Sequence, residues 1–351
     1  MLPDIPNISR VHPLVTRILG QNPGVMTLQG TNSYLIGDPA QPRVLIDTTE
    51  GSSATVGGYI PLLEEALQAH PSSSETPPLA AIMLTHWHPD HCQGVSAVQD
   101  LVHKLSPSTT SVPVYKSPEG PNLKQIGYYA GPLKALSGQV EVPSAGSQPV
   151  FLKPIFTPGH SVDHMCFALS IGEKVECIFV GDLILGHGTT IVLDLAAYMR
   201  SLEVLREFVI KCNNPDLCLF PAHGEVINDP IRKIDEYLSN RKHRITQVKD
   251  AFLQTAPDTW VRETALLEAV YPSVPENRRL PTLNNIRQAL FWLKAHHESS
   301  VCIPSPVTCT APHEVRDEKL FKEATAIARP GYLPQILKEE WQWMWTPKNT
   351  H

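Results

Sequence analysis

Cysteine is scarce: seven residues (Cys92, Cys166, Cys177, Cys212, Cys218, Cys302, Cys309), odd in number and scattered without a CxxC pair. That excludes a disulfide scaffold and a zinc knuckle. No run of about 18 apolar residues occurs, so no membrane-spanning segment is expected. The N-terminal stretch MLPDIPNISRV lacks the basic and apolar regions of a signal peptide and is not an Arg/Ser-rich transit peptide. The expectation is a soluble, cytoplasmic protein with reduced thiols. There is no excess of basic charge either: 29 basic against 35 acidic residues give a net charge of −6, which argues against nucleic-acid binding through global charge. No serine has glycines two residues before and after it, so the nucleophile-elbow pattern is missing. Internal repeats are also absent.

What is present is an ordinary globular composition, 42% hydrophobic and 18% charged over 351 residues. It fits one large domain with an appendage. Proline, at 33 residues, has about twice its usual share and predicts many ordered turns. Residues 14–19, 33–37 and 43–47 read as strands of a meander, and 59–69 as a helix. A polar loop spans 71–78. The run LAAIMLTH at 79–86 is apolar without alternation, as in a strand buried on both faces. A helix is expected at 93–105 and surface hairpins with a long loop at 106–150. Strands follow at 150–157, 164–171, 175–182 and 217–220, with helices at 194–212 and from Asp229-Pro230 to about 254. Strands alternating with helices in two halves predict an α/β sandwich. Short helices over 260–272 and 280–297 suggest a small C-terminal subdomain, and the tryptophan-bearing tail is the least interpretable part. The expected domains are therefore 1–256, 257–300 (helical, winged-helix-like) and 301–351.

One segment carries most of the chemistry: Thr85-His86-Trp87-His88-Pro89-Asp90-His91, directly after a buried strand. Where the chain leaves a sheet, successive side chains can converge rather than alternate between faces. Imidazole nitrogens and a carboxylate suit a borderline cation such as Zn²⁺. Four such donors cannot all serve one tetrahedral ion, so two adjacent ions are the natural reading; a merely His-rich surface loop is the alternative. Three further strand exits carry donor-type side chains beside Gly or Pro: Thr157-Pro158-Gly159-His160, Gly181-Asp182 and Pro221-Ala222-His223-Gly224. Singly, each is an ordinary turn former or satisfied polar group. Together they could meet at one edge of the sheets.

HxHxDH, then the TPGH histidine, the GD aspartate and the late histidine before glycine resemble the metallo-β-lactamase superfamily. The resemblance spans roughly residues 14–300. It implies an αββα sandwich with a small C-terminal helical subdomain and a di-metal site. His86, His88 and His160 would hold one zinc, Asp90, His91 and His223 the second, with Asp182 bridging them. The di-iron redox branch has glutamate where this chain has His88, which favours zinc and hydrolysis. NPGVMTLQGTNSYLIG at 22–37, GDLILGHGTT at 181–190 and LAAYMRSLEVL at 195–205 are similar to a lactamase-like group. That group includes fungal thioesterases releasing polyketides and an animal mitochondrial endoribonuclease. Asp47-Thr48-Thr49 departs from the usual D-T-G of this group.

A di-zinc site lowers the pKa of bound water to about 7. Asp90 is the expected proton shuttle, orienting hydroxide and protonating the leaving group. Thr31, Asn32, His187 and Thr189 are the substrate-side candidates, and Cys92 is expected to be a buried packing residue. The first functional expectation is a thioesterase acting on an acyl chain held by an acyl carrier protein of a polyketide synthase. The alternative is an endoribonuclease on single-stranded RNA, for which residues 232–249 offer six basic against two acidic residues. An ordinary solvated helix face explains that run as well. A non-catalytic binding module is disfavoured by the complete donor set.

Overall fold

A computed structural model describes residues 2–68, 77–256, 259–295, 307–310 and 342–345. The expected loop at 71–78 falls largely outside them, as does most of the 301–351 tail. The chain forms two compact units, Met1–Thr190 with Ser201–Ile234, and Ile191–Arg200 with Asp235–His351.

The first unit holds two sheets. In chain order it contains β1 (Ile8–His12), β2 (Val15–Leu19), β3 (Asn32–Ile36), β4 (Arg43–Ile46), α1 (Ser53–Gln68), β5 (Leu79–Met83), α2 (Pro89–Cys92), α3 (Val95–Leu105), β6 (Val114–Lys116), β7 (Leu133–Ala135), β8 (Val140–Val142), β9 (Val150–Phe156), β10 (Met165–Ile171) and β11 (Lys174–Gly181). Next come α4 (Leu195–Cys212), β12 (Cys218–Pro221) and α5 (Pro230–Leu253), the two helices each running across the division between units. The first sheet has the order β1-β2-β3-β4-β5-β6-β7 and the second β12-β11-β10-β9-β8. The expected meander appears as antiparallel β2–β3 and β3–β4 pairs, after which β4, β5, β6 and β7 run parallel.

Period-two alternation explains how the sheets stack. Tyr34 and Ile36, Val44 and Ile46, and Ala81 and Met83 point inward and meet Val150, Leu152, Phe167, Leu169, Cys177, Phe179 and Phe220 of the second sheet in one buried cluster. The Tyr34 ring lies 5.1 Å from Phe179 and 5.7 Å from Phe220. Its hydroxyl donates to the Pro221 carbonyl at 2.7 Å, so one side chain ties the sheets together near the end of β12. Ser33, on the other face of β3, bonds the Tyr59 hydroxyl of α1 at 2.7 Å. Both faces of β3 are therefore covered, and all five of its residues are buried. This is the expected layered α/β sandwich.

Several elements differ from the sequence reading. The strand β1 was not expected. Helix α1 begins at Ser53, six residues early, because Gly57 and Gly58 mask its start. The strand at 79–86 ends at Met83, and residues 84–88 leave the sheet. Three short strands, β6 to β8, lie within 106–150.

The second unit adds β13 (Val261–Arg262), α6 (Glu263–Val270), α7 (Glu276–Ala295), β14 (Val307–Thr310) and β15 (Gln342–Trp345). These strands form an antiparallel sheet, β13-β15-β14, so part of the expected tail is built into the same sheet as β13. The unit also holds a fully buried ion pair between α6 and α7: Arg287 reaches Glu263 at 2.8 Å, and Trp343 Nε1 of β15 donates to Glu263 at 3.0 Å.

Candidate metal centre

Each predicted donor sits where a strand ends. His86 and His88 lie on the extended segment after β5, whereas Asp90 and His91 lie on α2, which starts at Pro89 with His88 as its extended N-cap residue. The change from extended to helical backbone within these six residues sends the two pairs in different directions. His160 lies on the loop between β9 and β10, Asp182 follows β11, and His223 follows β12. At Gly181 the backbone has φ +49°, and an added Cβ would lie 2.6 Å from His164 Nε2, so the turn into Asp182 requires glycine.

The side chains gather into two adjoining groups: His86, His88, His160 and Asp182, and Asp90, His91 and His223, with donor atoms inside each group within 4.8 Å of one another. In the first, His86 Nε2 is 2.8 Å from His88 Nδ1 and 3.2 Å from His160 Nε2, and His160 Nε2 is 2.9 Å from His88 Nδ1. In the second, Asp90 Oδ2 is 3.2 Å from both His91 Nε2 and His223 Nε2. Asp182 faces both: its Oδ2 is 3.4 Å from His160 Nε2, and its Oδ1 is 3.3 Å from His223 Nε2 and 3.7 Å from His91 Nε2.

The backs of the rings explain which nitrogens face inward. Asp47 Oδ2 accepts from His91 Nδ1 at 2.8 Å and from the Thr85 hydroxyl at 2.7 Å. Having given its proton to Asp47, Thr85 Oγ1 accepts from His86 Nδ1 at 3.0 Å. Thr190 Oγ1 is 3.0 Å from His160 Nδ1, and the Gly30 carbonyl lies 3.4 Å from His223 Nδ1. With Nδ1 engaged behind, Nε2 of His86, His91, His160 and His223 faces the cluster, while His88 presents Nδ1. A carboxylate or hydroxyl behind a histidine is the arrangement that orients metal-ligating imidazoles.

This donor set fits metal cations. Three nitrogens each about 2.0–2.1 Å from one ion stand roughly 3.3 Å apart in a tetrahedron, close to the 2.8–3.2 Å found among His86, His88 and His160. Among the described residues, buried His91 Nε2 and Asp182 Oδ1 find no hydrogen-bond partner. Burial, reinforced by neighbouring imidazoles, holds His86 well below the usual imidazole range and brings His88 down to about 3. These two rings are therefore neutral, the form in which an imidazole nitrogen can ligate a cation. Burial opposes charge on His91 and His223 too, but Asp90, Asp47 and Asp182 raise His91 well above its usual range, and Asp182 with Asp90 raises His223 to about 10. Burial would raise the carboxyls of Asp90 and Asp182, yet the facing histidines hold both well below the usual carboxylate range.

Residues 26–223 match the family model of the metallo-beta-lactamase superfamily. The chain belongs to that superfamily. Relatives include a beta-lactamase-like protein 2 homolog of Drosophila melanogaster, 36% identical over 78% of this chain and 85% of its own length. Lactamase-like protein nscB of Aspergillus fumigatus is 34% identical over 83% of this chain and 74% of its own. An atrochrysone carboxyl ACP thioesterase of Aspergillus chevalieri is 34% identical over 79% of each chain. Among solved structures, a beta-lactamase domain protein from Burkholderia ambifaria superposes with a TM-score of 0.63 at 15% identity, covering 87% of this chain and 92% of its own, which supports the fold. The chain is a hydrolase of this superfamily, and its His/Asp cluster is of a kind that could hold a metal ion.

The expected substrate-side residues divide. His187 and Thr189 are exposed on the loop after Asp182. Thr31 and Asn32 are instead buried. The Thr31 hydroxyl donates to Asp90 Oδ2 at 3.0 Å, and the Asn32 amide donates to the Pro221 and Gly224 carbonyls at 2.9 and 2.8 Å. Cys92 is buried, its thiol against the Trp87 and His88 carbonyls, and burial pushes that thiol well up. Sequence reasoning missed the supporting residues Asp47, His164 and Thr190. His164 Nε2 accepts the Asp182 backbone N–H at 3.1 Å, with Nδ1 against Thr157 Oγ1 at 2.9 Å. Its signal was the second histidine four residues after His160.

Proposed function

We propose that the chain is a di-zinc thioesterase that hydrolyses an acyl chain, such as a polyketide, from an acyl carrier protein. The observation that carries this reading is the pairing of a complete seven-residue donor set with relatives named as ACP thioesterases, 34% identical over 70% and 79% of this chain. Zinc suits a centre of imidazoles and carboxylates without thiolate. His86, His88 and His160 would hold one ion, Asp90, His91 and His223 the other, and Asp182 both. Bound there, the ions supply Lewis acidity towards a carbonyl and a lowered pKa for water.

The remaining chemistry belongs to the chain's own groups. In thioester hydrolysis the acyl carbon–sulfur bond breaks, the water oxygen stays on the acyl group, and one proton must reach the departing thiolate. Asp90, with 18% of its side chain exposed, is buried enough to be oriented and open enough to hand over that proton. As a carboxylate it can accept a proton from water first. A nucleophilic cysteine is not needed, and burial disfavours the thiolate of Cys92.

Endoribonuclease activity has less support. Within the basic run of α5, Arg241 and Arg244 lie over the Tyr198 and Tyr271 rings at 5.3 and 4.8 Å, and Arg241 is only 7% exposed, which leaves it little access to a phosphate. No helix among the described residues is long and apolar enough to cross a membrane. The test is to incubate the zinc-loaded protein with an acyl thioester of N-acetylcysteamine and, separately, with a fluorescent single-stranded RNA. Thioester cleavage abolished by Asp182→Ala is the expected result. RNA cleavage with an untouched thioester would overturn the reading.

A further inference from the structure

We propose that Thr31, locked by Asn22, is a positioning residue that assigns the two oxygens of Asp90 to different tasks. The inference rests on the proposed metal-dependent reading. Its basis is a hydrogen-bond chain whose direction is fixed by elementary donor and acceptor rules. The Thr31 backbone N–H can only donate, and it meets Asn22 Oδ1 at 2.8 Å. That contact settles the Asn22 amide orientation, so its NH₂ is the group 3.0 Å from Thr31 Oγ1 and donates to it. The Thr31 hydroxyl has one proton, and its remaining partner is the carboxylate oxygen Asp90 Oδ2 at 3.0 Å, which accepts it. The chain therefore runs one way, Asn22 to Thr31 to Asp90.

Burial makes the chain rigid: Thr31 is 0% and Asn22 7% exposed. The surrounding loop is built closely around the amide. Gly20 N–H bonds the Thr31 carbonyl at 2.7 Å, and a Cβ at Gly20 would stand 2.9 Å from Asn22 Oδ1. Thr31 also pairs as an isolated bridge with His223, which places this support against another member of the second donor group.

A free carboxylate has two equivalent oxygens and a broad terminal torsion. Here the Thr31 proton breaks the symmetry. Oδ2 is held towards His91 and His223, 3.2 Å from each, which leaves Oδ1 as the oxygen that exchanges a proton with substrate. Thr31 thus acts through Asp90 and touches no substrate itself.

Three variants test this: Thr31→Val, isosteric without the hydroxyl; Thr31→Ser, which keeps it; and Asn22→Asp, whose carboxylate can only accept and so draws the Thr31 proton away from Asp90. kcat and KM are measured on the N-acetylcysteamine thioester, and affinity for the second zinc equivalent by competition with a chromophoric chelator. Melting temperatures of the metal-free variants report folding. Thr31→Val and Asn22→Asp are expected to lower kcat about 10- to 100-fold, the worth of one charge-assisted hydrogen bond, with KM nearly unchanged. Thr31→Val weakens the second zinc equivalent about 10-fold. Thr31→Ser restores most of both. Wild-type behaviour of Thr31→Val, or equal impairment of the Val and Ser variants, overturns the inference. If wild type binds zinc but leaves the thioester intact, the substrate reading fails, and the Val–Ser contrast in zinc affinity still decides this one. Absence of zinc binding by wild type overturns both.

Discussion

Asp47→Asn separates the shape of the Asp47 site from its charge. Asp47 sits at φ +57°, a left-handed conformation in which asparagine is as tolerated as aspartate, so the turn survives the change. The Thr85 backbone N–H, 2.8 Å from Oδ1, still needs an acceptor, so the new carbonyl takes that side. The NH₂ then replaces Oδ2, facing the Thr85 hydroxyl at 2.7 Å and His91 Nδ1 at 2.8 Å. The hydroxyl can turn round and accept, but a protonated Nδ1 cannot face an NH₂. His91 is driven to the other tautomer, which puts its proton on Nε2, the atom 3.2 Å from Asp90 and 3.7 Å from Asp182. A protonated Nε2 cannot ligate a cation. The expected loss is about 10- to 100-fold in affinity for the second metal equivalent, the usual worth of such a supporting group. In free energy that is about 1.4–2.8 kcal/mol. Chelator competition on the purified variant reads it directly, and circular dichroism checks that the fold persists. Wild-type affinity for both equivalents would refute the reasoning, because Asp47 would then not set the His91 tautomer.

Further outcomes follow from buried charge and from metal linkage. Lys116 and Asp163 form an ion pair at 2.8 Å with side chains 5% and 0% exposed, so Lys116→Met strands a buried carboxylate. It is expected to cost about 3–5 kcal/mol in urea unfolding, and Lys116→Met with Asp163→Leu should recover much of that. A double variant no more stable than the single one would contradict this. Arg287→Met, which strands Glu263 in the second unit, is expected to destabilise by a similar amount, checked by denaturation followed at tryptophan fluorescence. Removing metal with a chelator should lower Tm, and excess zinc should restore it, since a ligand bound only by the folded state stabilises it by mass action. A Tm indifferent to zinc would count against a bound cation.

The histidine cluster was legible in the sequence because four donors follow one another within six residues. The distant donors were legible because a buried apolar run ending in His or Asp beside Gly or Pro marks a strand exit. The supporting residues were not. Asp47 lies 44 residues from His91 in the chain, and Thr190 lies 30 residues from His160; nothing local to either links it to an imidazole. Thr31 and Asn32 show how little the local sequence says of a side chain's surroundings. Polar residues in a loop beside the site look alike whether they face the cleft or brace it, and only burial separates the two roles. Helix α1 started earlier than periodicity predicted because packing of Thr55, Tyr59, Leu63 and Leu67 outweighs the weak propensity of its two glycines.

Anomalous diffraction at the zinc absorption edge, from crystals grown with zinc, tests most directly whether two cations share Asp182. Two peaks are predicted, one amid His86, His88, His160 and Asp182, the other amid Asp90, His91, His223 and Asp182. An empty cluster, or zinc bound only elsewhere, would contradict it.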